Sequence, residues 1–125
     1  MEDTEIGQTL GEQGFERMVA AFYSKVKQDD LIGPMYPEND WQGAEERLRD
    51  FLIFRFGLSQ RYIENRGHPR LRMRHAPFPI GKAHRDRWVE LMNQAMEETD
   101  VPSEVAAHLK AFFGNVADFM RNQHD

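Results

Sequence analysis

The chain contains no cysteine. That absence excludes disulfides, thiolate nucleophiles, zinc ribbons, iron–sulfur clusters and thioether attachment of a cofactor, so any metal chemistry falls to His, Asp, Glu or Tyr. Also missing is any window approaching the ~18 apolar residues of a membrane span. The first residues, with Glu2, Asp3 and Glu5, lack the basic start and apolar stretch of a secretory leader. The expectation is a cytoplasmic protein without membrane contacts. No repeat, low-complexity tract or sustained strand alternation is found, which leaves helical periodicity as the organising pattern.

What is present fits one soluble domain, residues 1–125, with 40% hydrophobic and 30% charged residues. A chain of this length buries roughly two-thirds of its unfolded surface and still has room for a cofactor pocket. The net charge of −5 is unevenly spread. Between Arg61 and Arg87 eight Lys or Arg face two acids, so that stretch carries about +6 and the remainder about −11.

Phe15, Met18, Val19, Phe22 and Val26 recur at helical spacing and predict a helix over about 12–28, stopped by Asp29, Asp30, Gly33 and Pro34. A second helix is predicted over about 41–56, with Ala44, Leu48, Phe51, Leu52 and Phe56 inward and Glu45, Glu46, Arg49 and Asp50 facing water. The next 25 residues hold Gly67, Pro69, Pro77, Pro79 and Gly81, which permit only short helical turns. A third helix spans about 82–99, with Trp88, Leu91, Met92, Ala95 and Met96 inward. The last runs to about 122, with Val105, Leu109, Phe112, Phe113, Val116, Phe119 and Met120 on its buried face. The predicted class is all-α with four main helices.

Twelve residues in the irregular stretch carry the most chemistry: Gly67, His68, Pro69, Arg70, Leu71, Arg72, Met73, Arg74, His75, Ala76, Pro77 and Phe78. Two histidines and three alternate arginines on a short segment can hold a metal and anions together. Iron-porphyrin asks for that combination, with one neutral imidazole on the iron and cations near two carboxylates. His68 precedes a proline and is biased toward extended backbone, which suits it to a structural hydrogen bond in the loop. Tyr23 sits on the edge of the first helix's apolar face, Tyr36 in a turn and Trp88 on a helix. Each alone is a packing residue. Together, two phenols and an indole form a set of O–H and N–H donors suited to a ligand that gains negative charge on binding.

The run His68–Phe78, with Tyr23, Tyr36-Pro37-Glu38, Gly43-Ala44-Glu45-Glu46-Arg47-Leu48 and Trp88 in register, resembles the group II truncated haemoglobins, the compact 2-on-2 globins. The resemblance spans about residues 15–96. It implies two antiparallel helix pairs sandwiching non-covalent haem b, with His75 as the proximal iron ligand. Ala44 falls at the position where other globins place a distal histidine, and Arg47 where the family reaches toward a haem propionate, with Arg74 and Tyr62 as further candidates. Leu48, Phe78 and Trp88 would line the pocket, and Tyr23, Tyr36 and Trp88 would surround the ligand.

Two departures stand out. The family usually has paired glycines near the start and again after the distal helix, whereas this chain has Gly11-Glu12 and Phe56-Gly57-Leu58. A non-glycine residue at positive φ is penalised, so altered loop paths are expected there.

The resemblance implies a protein binding dioxygen and other diatomic ligands, with oxygen delivery, nitric oxide dioxygenation and peroxide chemistry among the family's roles and a reductase as a candidate partner. The alternative is a nucleic-acid or phosphate-binding helical module using the basic stretch 61–87. Against that alternative stand the acidic remainder and the lack of a nucleic-acid-binding motif.

Overall fold

Apolar residues three and four apart become six helices in the computed structural model, which describes residues 1–123. They are α1 (Asp3–Val26), α2 (Trp41–Arg55), α3 (Arg61–Arg66), α4 (Leu71–His75), α5 (Lys82–Glu98) and α6 (Ser103–Met120), with one 3-10 turn at Gly33–Met35. No strand occurs among the described residues. α2, α5 and α6 match the expected helices closely, and the glycine- and proline-rich stretch yields only the short α3 and α4.

The main departure is α1, which begins at Asp3 and bends at Gly11, where φ is 70° and ψ 168°. Its first segment exists because it docks on the end of α2. Ile6 is fully buried, Asp3 pairs with Arg55 at 2.6 Å, and a Cβ on Gly7 would fall on the Phe56 carbonyl. These are long-range contacts, invisible to local periodicity.

The halved glycine pairs leave the backbone unstrained. Gly11 and Gly57 take the positive φ, at 70° and 82°, while neither Glu12 nor Leu58 does and Phe56 sits at φ −100°. The glycine retained in each pair is the one the turn requires.

α1 packs on α2, α5 and α6, and α5 pairs with α6 across the short turn after Glu98. Phe15, Phe22, Phe56 and Phe113 fill the shared interior with Met18, Leu52, Met92 and Leu109. Burying aliphatic and aromatic side chains of this kind stabilises by roughly 1.5–3 kcal/mol each.

Two expectations need correction. Asp50 does not face water: it is buried and takes Arg49 at 3.0 Å and Arg61 at 3.3 Å. A helical period cannot reveal an aspartate drawn inward by a cation on another helix. Phe119 is 60% exposed. Six residues beyond Phe113, it is turned about 120° away from the stripe formed by Phe113, Ala117 and Met120.

α2 packs on α1 and α3 whereas α4 packs on α6, and α2 and α4 at most graze each other. The segment after α4 is held by the residue just past α6. Asn122 donates from Nδ2 to the Phe78 carbonyl at 2.8 Å, accepts the Ile80 N–H at 2.9 Å, and gives its own N–H to the Ile80 carbonyl at 2.9 Å. Arg72 reaches the Phe119 carbonyl at 3.1 Å.

Candidate functional site

His75 closes α4, where Pro77 prevents the helix from continuing. Its half-buried ring places Nδ1 2.7 Å from the Leu71 carbonyl oxygen. A carbonyl only accepts, so Nδ1 carries a proton, and in the neutral imidazole Nε2 is then the nitrogen with the free lone pair. The Phe78 ring lies 6.3 Å from the imidazole, and the Phe78 N–H is bound to the His75 carbonyl at 2.9 Å. The other three histidines of the described residues are placed differently. His68 is exposed and contributes its backbone carbonyl to Arg74, so the structural role expected for it falls to the main chain. His84 accepts the Gly81 N–H at 3.2 Å, and His108 lies 3.3 Å from Asp3.

A second cluster joins Tyr23 from α1, Tyr36 from the α1–α2 connection and Trp88 from α5. The rings of Tyr23 and Tyr36 meet edge to face at 5.6 Å. Trp88 packs on Phe22 at 5.0 Å and on Phe113 at 5.6 Å. Burial holds both phenols above their ordinary pKa, most strongly at Tyr23. At Tyr36 the burial effect is partly offset by the Tyr23 hydroxyl and the Trp88 indole N–H. Both tyrosines therefore remain neutral O–H donors through the ordinary pH range.

Trp41 belongs to this cluster and sequence reasoning missed it. Its ring stacks on Tyr36 at 5.3 Å and lies 6.4 Å from Tyr23. An aromatic residue opening a helix a few residues after Tyr36-Pro37 was the available signal. Ala44 is buried one turn further along α2, and Leu48 is half-buried against the core.

The two candidate arginines are placed differently. Arg74 donates to the hydroxyl of buried Tyr62 at 3.2 Å and to the carbonyls of Arg66 and His68 at 3.0 and 3.1 Å. Tyr62 in turn packs on Phe51 at 5.7 Å. Arg47 pairs with Asp40 at 3.0 Å, and its charge opposes the burial effect on both tyrosines. Arg47 thus lies on the phenol side of the molecule and Arg74 on the side of α3 and α4. Two clefts, about 360 Å³ beside α4 and α6 and about 290 Å³ between α5 and α6, include neither His75 nor the phenol and indole groups.

The donor set accepts one kind of metal group well. Among the described residues no three His, Cys, Asp or Glu side chains gather to hold an ion. A lone imidazole with one nitrogen fixed by a carbonyl suits a metal that brings its other ligands with it, as porphyrin iron does.

Much of the basic stretch is engaged within the protein. Arg61 pairs with Glu12 and Asp50, Arg85 with Asp118, and Arg87 with Asp29. Arg72 and Arg74 bind main-chain carbonyls.

Residues 5–122 match the bacterial-like globin family. Group 2 truncated hemoglobin YjbI of Bacillus subtilis (strain 168) is 32% identical over 116 residues, 93% of this chain and 87% of that protein. This chain belongs to the group II truncated haemoglobins. The fold agrees. A thermostable hemoglobin from Thermobifida fusca superposes with a TM-score of 0.90 at 41% identity, each chain covered to 100%. A truncated oxygen-avid haemoglobin from Bacillus subtilis does so with a TM-score of 0.89 at 31% identity, covering 94% of this chain and 98% of that one. The four long helices are therefore those of the 2-on-2 globin fold, and this truncated haemoglobin is a haem-based ligand-binding protein. No helix of the described residues is long and apolar enough to cross a membrane.

Proposed function

We propose that this truncated haemoglobin holds haem b non-covalently, with His75 as its one protein ligand, and binds dioxygen under hydrogen bonds from Tyr23, Tyr36 and Trp88. The observation that supports the reading is the bond between His75 Nδ1 and the Leu71 carbonyl, which holds the ring in one orientation and makes Nε2 the nitrogen left for a metal in the neutral imidazole. When bound, haem supplies ferrous iron that coordinates a diatomic ligand and shifts negative charge onto dioxygen.

The chain's own residues do the rest. Arg74, fixed by Tyr62, presents a cation for a propionate, and Arg47 offers another if it leaves Asp40. Ala44, Leu48, Phe78 and Trp88 supply apolar surface to the porphyrin faces, and Ala44 leaves space where a larger side chain would intrude. The two phenols and the indole donate to the ligand, and burial keeps the phenols protonated. The oxygen avidity named for the Bacillus subtilis relative supports the same direction here. An electron-donating reductase would be a candidate partner in the cytoplasm. The engagement of Arg61, Arg72, Arg85 and Arg87 within the protein favours this reading over nucleic-acid binding.

Titration of the haem-free protein with haemin tests the proposal. A Soret band that saturates at one haem per chain is expected. A colourless protein that binds RNA with steep salt dependence would establish the alternative.

A further inference from the structure

Tyr36 and Trp88 belong to different elements, so their relative placement depends on where the connection after α1 is held on α5. One carboxylate holds it. The Asp29 side chain, 9% exposed, accepts the backbone N–H groups of Leu31 at 3.1 Å and Ile32 at 2.9 Å with one oxygen. Its other oxygen takes Arg87 of α5 at 2.5 Å. Arg87 is the residue immediately before Trp88. From Asp29 the connection continues through its own hydrogen bonds: the Gly33 N–H to the Asp29 carbonyl at 3.2 Å, and the Tyr36 N–H to the Gly33 carbonyl at 3.1 Å.

We infer that Asp29 and Arg87 are positioning residues that set the distance between Tyr36 and Trp88, and through it the strength with which this globin retains dioxygen. The inference rests on the assignment of these side chains as ligand donors. Its physical basis is that a charge-assisted bond to a carboxylate already capped by two amides is short, directional and little screened. Arg87 also lies 3.6 Å from Asp30 and 3.8 Å from Glu90, both well exposed, so these longer contacts are weaker and leave Asp29 as the dominant partner. Neither Asp29 nor Arg87 touches the ligand in this scheme. A shift of α5 against the connection by a fraction of an ångström would lengthen one donor's bond without emptying the core.

The test uses Arg87→Ala, Arg87→Lys, Trp88→Phe and the double variant Arg87→Ala/Trp88→Phe in the haem-loaded protein. Arg87 is 35% exposed, so its truncation leaves the core intact. Arg87→Ala is expected to speed dioxygen release about two- to tenfold, the lower part of the range of coupling between neighbouring residues, with carbon monoxide release nearly unchanged. Arg87→Lys should restore most of the loss. In the Trp88→Phe background the Arg87→Ala effect should shrink, because one of the two donors it positions is gone. Equal effects on both gases, or an Arg87→Ala effect that survives intact without Trp88, overturns the inference. If Trp88→Phe alone leaves dioxygen release unchanged, the donor assignment has failed. The positioning claim is then decided by the Trp88 indole N–H resonance of the haem-free protein, assigned by its loss in Trp88→Phe. It should move in Arg87→Ala and return in Arg87→Lys, and an unmoved resonance rejects the claim.

Discussion

The ring of Tyr23 meets that of Tyr36 edge on, with centroids 5.6 Å apart and planes at 89°. Burial raises the pKa of both hydroxyls, that of Tyr23 well above its ordinary 10.0. The folded protein therefore keeps a Tyr23 proton that the unfolded chain gives up near pH 10. The sign follows: stability is unaffected by this group below about pH 10 and declines as pH rises from there toward the folded-state pKa. Thermal melting between pH 8 and pH 12 should show a steeper alkaline loss in the native protein than in Tyr23→Phe. Parallel profiles would mean that the phenol is not a buried neutral donor.

Donation to a charged ligand predicts a contrast between two gases. Trp88→Phe and Tyr23→Phe should speed dioxygen release about ten- to a hundredfold, the effect of losing a hydrogen bond to a charged partner worth ~1.5–3 kcal/mol. Carbon monoxide release should change far less, since bound carbon monoxide carries less negative charge. Stopped-flow rates for the two single variants and their combination measure this. Equal acceleration of both gases would indicate a steric gate instead.

His75→Gly should give protein that loses haem, or takes it up again only with added imidazole. His68→Ala should keep the pigment, because its side chain is exposed and the bond to Arg74 comes from its main chain. Haem content by absorbance after purification distinguishes the two variants. The reverse pattern would move the ligand to His68.

Arg74→Ala should weaken haem retention more than Arg47→Ala. Arg74 is fixed by Tyr62 and two carbonyls, whereas Arg47 is 42% exposed and already paired with Asp40. Each exposed ionic contact is worth ~0–1 kcal/mol, so haem transfer to an acceptor globin should quicken by a few-fold at most in either variant and further in the double variant. Unchanged transfer in the double variant would return both arginines to the solvated surface.

Most of the architecture could be read from spacing. Phe15, Met18, Val19, Phe22 and Val26 lie where a 3.6-residue period puts them, and all are buried. What spacing missed was decided by contacts between distant residues. The early start of α1 depends on Arg55 meeting Asp3, and the burial of Asp50 depends on Arg61. For the candidate site, the resemblance named His75, Tyr23, Tyr36 and Trp88 as candidates, whereas the proton on His75 Nδ1 needed the Leu71 carbonyl in place. Trp41 read as a helix start because its stacking on Tyr36 appears only after the chain turns back. Asp29 read as a helix stop for the same reason, since its partner Arg87 is 58 residues away.

The Asn122 side chain hydrogen-bonds around the segment that follows His75, reaching back 44 residues to the Phe78 carbonyl. A ribosome delivers this chain from its N-terminus, so α1, α2 and the imidazole emerge long before the amide that steadies the segment behind it. Until residue 122 leaves the exit tunnel, the carbonyl of Phe78 and the N–H of Ile80 lack their partners. The segment behind His75 is thereby braced only after α6 has been made, and a nascent chain stalled before Asn122 would hold the imidazole on an unbraced tether.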